Sequence, residues 1–237
     1  MSQLGGSLTD WGRIVIIELV GPSGSGKSSI RDLCLRMDSS RIGCLKSVET
    51  MDPGPTTRNI QTTLFRRFRS FATILRYPRL LIALLEGVKI SGFHNALLWT
   101  SRVARNTLIV SRIARFRCVH IVEFGTIKTL IGARKALSRE WVLRRNRSLS
   151  APDLIVVLRC NPEQIADRVA ARGGAWSTIG RHERIRLTQE YYRMAQDLVA
   201  TLGVPYVEFD TGERDQREIA RDLMQMIELR IAQHQSD

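Results

Sequence analysis

Five short apolar runs punctuate the chain, at 13–20, 42–48, 118–123, 153–159 and 204–209, each bounded by turn signals. Ile14-Val15-Ile16-Ile17-Glu18-Leu19-Val20 and Leu154-Ile155-Val156-Val157-Leu158 are nearly continuous, the pattern of a strand covered on both faces. Between the runs lie longer segments with helical periodicity; from Ser28 to Met37, for example, Ile30, Leu33 and Leu35 supply an apolar face. Strand-sized runs alternating with helix-sized segments predict a parallel sheet with helices on both faces. The interval 49–117 is too long for one crossover helix. It reads as a loop over 51–57, a helix over about 60–76, another after Pro78 and a third over about 95–115. No repeat or low-complexity linker interrupts the chain, so a single domain over 1–237 is expected.

The first run leads into Gly21-Pro22-Ser23-Gly24-Ser25-Gly26-Lys27-Ser28, a complete G-x-x-x-x-G-K-[ST] phosphate-binding loop, and the first periodic segment follows directly. Gly21, Gly24 and Gly26 let the backbone turn its N–H groups inward around phosphate oxygens. The positive end of the next helix adds to that field. Lys27 is expected on the β- and γ-phosphates of ATP and Ser28 on Mg²⁺. Pro22, Ser23, Ser25 and Ser29 complete the ATP-binding loop, the serines as small, chemically incidental residues.

Composition narrows the class. At 237 residues and 43% hydrophobic content the chain can bury a full core. No apolar stretch is long enough to span a bilayer, and the first dozen residues lack the pattern of a secretory signal, so a cytoplasmic protein is expected. Cys34, Cys44, Cys118 and Cys160 are widely spaced and read as reduced core residues. The net charge of +13 is concentrated between Arg58 and Arg117, where twelve Lys/Arg stand against Glu86 alone, a local balance of +11. Such a segment implies an anionic partner: phosphorylated substrate, nucleic acid or an anionic membrane.

Five local patterns in order resemble the thymidylate kinase group of the P-loop nucleoside and nucleotide kinases, over about residues 13–210. They are the loop itself; Glu49-Thr50-Met51-Asp52-Pro53-Gly54-Pro55-Thr56, similar to an R-E-P-G-G-T segment; and Leu97 to Arg102, similar to a helix with a substrate-facing Arg. Val119 to Gly125 stands where the group has a strand ending in D-R-[YFH], and Pro152 to Leu158 with Asp167-Arg168 and Arg172 resembles its strand, helix and arginine-bearing lid. The resemblance implies a three-layer α/β/α P-loop NTPase fold with a five-stranded parallel sheet and a helical lid. It also implies an ATP- and Mg²⁺-dependent kinase. Met51 and Phe124 replace two arginines that the group places near its acceptor nucleotide, so the resemblance does not carry thymidine monophosphate over as the acceptor.

Site residues follow. Glu123 ends a strand, where it can hold Mg²⁺ through water or accept a proton; the plainer alternative is an acid stabilising a helix that begins near Thr126. Glu49 and Asp52 form a second carboxylate pair for the acceptor, or cap a loop. Arg102 suits an anionic acceptor. Arg168 and Arg172 share one helical face and lead into Gly173-Gly174, a hinge for a lid over 173–181; Arg181, Arg184 and Arg186 follow. A lid excludes water and brings positive charge to the transferring group, Arg168, Arg172 and Arg181 being its contacts with ATP. Asp210-Thr211-Gly212 lies where related kinases form part of the adenine pocket.

Two further readings stay open. One is a nucleotide-binding module that docks through 58–117 on nucleic acid or an anionic membrane, motivated by the arginines and aromatics of Phe65 to Phe71. The other is a kinase with a non-nucleotide acceptor. A homodimer is compatible with all of them.

Overall fold

The computed structural model describes residues 15–37, 45–47, 85–86, 88–89, 91–93, 95–97, 100, 119–123, 125–134, 152–173 and 177–236. Five strands, β1 (Val15–Val20), β2 (Leu45–Ser47), β3 (Val119–Val122), β4 (Leu154–Arg159) and β5 (Tyr206–Asp210), form one sheet in the order β2-β3-β1-β4-β5. Every neighbouring pair is parallel. β1 sits centrally, pairing Val15 with Val119 on one side and Ile17 with Leu154 on the other. The strand order therefore reverses beside β1, and the carboxyl edge at such a reversal is where open α/β sheets bind ligands.

Helices α1 (Lys27–Arg36), α2 (Thr126–Arg134), α3 (Pro162–Arg172), α4 (Arg181–Leu202) and α5 (Gln216–Ser236) accompany the sheet. Alternate strand residues feed two cores, as the two-residue period requires. Ile155 and Val157 pack with Ile127, Leu130, Met194 and Leu198, the face covered by α2 and α4. Ile17, Leu19, Val156 and Leu158 pack with Ile30, Cys34, Ile219 and Leu223, the face covered by α1 and α5. This is a three-layer α/β/α fold around a five-stranded parallel sheet, and all five expected strands lie within one or a few residues of their predicted bounds.

The charged residue inside β1 has a structural partner. Glu18, 1% exposed, accepts the backbone N–H of Lys128 at 3.1 Å, filling an orphan donor in the first turn of α2. The expected helix over 28–37 is found as α1, and the one near Thr126 as α2. Of the two helices expected after Pro78, the described residues between 85 and 100 are helical; the loop over 51–57 and the helix over 60–76 lie outside the described residues. Cys34 and Cys160 are buried and free, burial pushing the Cys34 thiol up to about 12; Cys44 and Cys118 lie outside the described residues.

Candidate active site

The loop between β1 and α1 takes its shape from glycines placed where side chains do not fit. Gly24 and Gly26 have φ of 88° and 86°, the left-handed region that glycine adopts without strain. A Cβ at Gly21 would strike the Ser25 hydroxyl and lie 2.9 Å from the Leu158 carbonyl. Gly26 caps α1 with no side-chain hydrogen bond, so no side chain competes for the orphan amides of the first turn. An oriented set of N–H groups at a helix start is an anion site.

Lys27 is 8% exposed, and its ammonium donates to the carbonyls of Gly21 and Pro22, each at 2.6 Å. Burial lowers its pKa to about 7, helped by Lys128 and Arg172 and opposed by Glu123. The next residue, Ser28, donates its hydroxyl to Glu123 Oε2 at 3.0 Å. The other oxygen of Glu123 lies 2.7 Å from Arg31 Nη1. Loop, helix start and the residue after β3 thus bring an ammonium, a hydroxyl and a carboxylate together at the sheet's carboxyl edge. Ser28 and Glu123 offer two hard oxygens, the donor chemistry Mg²⁺ takes when phosphates and water complete its shell, so the residues present fit that ion. Among the described residues no group of three or more His, Cys, Asp or Glu side chains converges as a metal cluster.

The arginines of α3 and α4 divide by role. Arg172 is near enough to Lys27 to lower its pKa. Arg168 donates to the carbonyl of Thr211 at 3.2 Å, joining α3 to the 210–212 turn. Arg181 pairs with Asp167 at 3.1 Å and Glu163 at 3.7 Å on α3. Arg184 points inward, 8% exposed, and donates to the carbonyls of Ser177 (3.1 Å) and Ile179, so it ties the start of α4 to the 177–180 turn before it. Arg186 pairs with Glu183 at 2.6 Å and Glu190 at 3.6 Å on its own helix. Glu49, Asp52 and Arg102 lie outside the described residues, as do all the cations of 58–117 except the exposed Lys89.

Several contributors escaped the sequence reading. Arg31 stands four residues after Lys27 and three after Ser28, a spacing that places all three on one helical face and was a usable signal. Lys128 acts on Lys27 from α2, and Gln216 opens α5 with its Nε2 3.2 Å from where a Gly26 Cβ would stand. Neither has a local signal, because both arrive through packing. Tyr191, half-buried beside Gly21 and Glu18, has its phenol pushed well above the ordinary range, by desolvation first and by Glu18 next.

No protein-family model matches the chain, and no curated protein matches it. Among solved structures, the deoxyadenosine kinase from M. mycoides with bound dCTP aligns at a TM-score of 0.47 and 16% identity, covering 90% of this chain and 100% of that one. The YorR protein from Bacillus subtilis in complex with phosphorylated GDP aligns at 0.49 and 16%, covering 91% of this chain and 97% of that one.

Proposed function

We propose that the chain is an ATP- and Mg²⁺-dependent phosphotransferase that passes the γ-phosphoryl group to a small acceptor, an anionic nucleoside monophosphate or a neutral nucleoside. The observation that carries this reading is the convergence of Lys27, Ser28 and Glu123, with Ser28 and Glu123 3.0 Å apart, at the mouth of a glycine-shaped loop. The loop amides and the Lys27 ammonium bind the polyphosphate, the ammonium exchanging its carbonyl partners for phosphate oxygens. Ser28 and Glu123 would hold Mg²⁺, which would supply neutralisation of the phosphates when bound. With a nucleoside as acceptor, Glu123 or Glu49 takes the proton from the attacking hydroxyl; a nucleotide's phosphate is already ionised and needs no base. Arg168, Arg172 and Arg181 bring positive charge to the transferring group as the 173–181 segment closes and excludes water. Asp52 and Arg102 belong with the acceptor.

The purified chain with ATP, Mg²⁺ and a panel of nucleosides and nucleoside monophosphates tests this. Phosphorylation of at least one panel member is expected, and Lys27→Ala should lower it by roughly 10²–10³-fold with the fold intact. No product across the panel contradicts the nucleotide form of the reading; unchanged turnover in Lys27→Ala rejects the site.

A further inference from the structure

Arg31 is bound from both sides. Its Nη1 lies 2.7 Å from Glu123 Oε1, while Nη2 and Nε reach Asp32 Oδ1 at 2.7 and 2.9 Å. All three guanidinium nitrogens therefore have a carboxylate partner, and the side chain is only 15% exposed. On the far side of Glu123, Oε2 accepts the Ser28 hydroxyl at 3.0 Å. Asp32, Arg31, Glu123 and Ser28 make one unbroken string, three members on α1 and one at the end of β3. Each oxygen of the Glu123 carboxylate has its own neighbour: Oε2 accepts the Ser28 hydroxyl, and Oε1 is in ion-pair contact with Arg31 without hydrogen-bond alignment, so charge and burial hold the group beside α1. A planar guanidinium can bridge two carboxylates with parallel donors, whereas an ammonium is a point charge that can be drawn to either.

We infer that Arg31 is a positioning residue for the divalent cation: it holds the Glu123 carboxylate in place beside Ser28 and so governs how well Mg²⁺ is taken up with the nucleotide, touching neither itself. The inference rests on the phosphotransferase reading, because the cation arrives with ATP. Groups that orient a metal-binding carboxylate are commonly worth about 10–100-fold in metal affinity. The plainer role, a buried ion pair joining α1 to β3, would change stability without singling out the cation.

Calorimetry of the full chain with the non-hydrolysable analogue AMP-PNP, with and without Mg²⁺, separates the two. In Arg31→Met the Mg²⁺-dependent gain in affinity is expected to fall about tenfold, with metal-free affinity held within about twofold. Glu123→Gln should lose the same gain, and the double variant should be no worse than Glu123→Gln alone, since Arg31 acts through that carboxylate. Equal losses with and without Mg²⁺, or additive losses in the double variant, would overturn the inference. If Arg31→Met does not fold, Arg31→Lys decides: a raised Mg²⁺ concentration for half-saturation supports the role and an unchanged one overturns it. An unsubstituted chain that binds the analogue equally with and without Mg²⁺ also overturns it while sparing the nucleotide reading. A chain that binds no analogue in either condition defeats that reading itself.

Discussion

Lys27 carries its charge in a place that resists it, and the sign of the consequence can be worked out. Its folded pKa of about 7 lies below the ordinary 10.5. Between those values the unfolded chain holds the proton more firmly, so stability rises with pH across that window; that contribution is lost as pH falls through about 7. A polyphosphate beside the ammonium restores its proton. Nucleotide binding at pH 8 is therefore expected to be accompanied by net proton uptake, and affinity to weaken as pH rises. Calorimetry in two buffers of different ionisation heat measures this; no uptake, or the same uptake in Lys27→Met, contradicts it. At this scale the loop was legible because its constraints are local: glycine at a left-handed φ, small residues in a tight turn, Lys27 and Ser28 at the helix start. Glu123 was legible as a strand-end acid. Lys128 and Gln216 were not, since they reach the site from other elements.

The strands were readable because a parallel sheet buries both faces, leaving short apolar runs such as Leu154 to Leu158, and Glu18 is tolerated within β1 because it accepts from the first turn of α2. The lid proposed over 173–181 rests in the sequence on a cluster of arginines after a glycine pair. Spacing alone does not tell a guanidinium aimed at a phosphate from one that grips its own loop, and Arg184 grips the carbonyls of Ser177 and Ile179. Removing such charged hydrogen bonds costs about 1.5–3 kcal/mol each. Arg184→Leu is therefore expected to raise thermolysin cleavage between 177 and 180 by roughly tenfold or more. A cleavage pattern identical to that of the unsubstituted chain would mean that Arg184 does not anchor this segment.

Across the whole molecule, the reversal of strand order beside β1 and the two cores on either side place the loop at the sheet's carboxyl edge. The net charge of +13 favours association with anions. Glu49, Asp52 and Arg102, proposed for the acceptor, fall outside the described residues. The nucleotide site proposed at Lys27, Ser28 and Glu123 lies within the described residues and can be tested alone. Thermal melting of the chain with ATP and Mg²⁺ is the most direct measurement. At a hundredfold excess over Kd, binding to the folded state adds about 2.7 kcal/mol, a rise of roughly 5–10 °C in Tm for a chain this long. Lys27→Ala is expected to lose most of that rise. No shift in the unsubstituted chain, or an equal shift in the variant, would contradict the claim that this loop holds a nucleotide's phosphates.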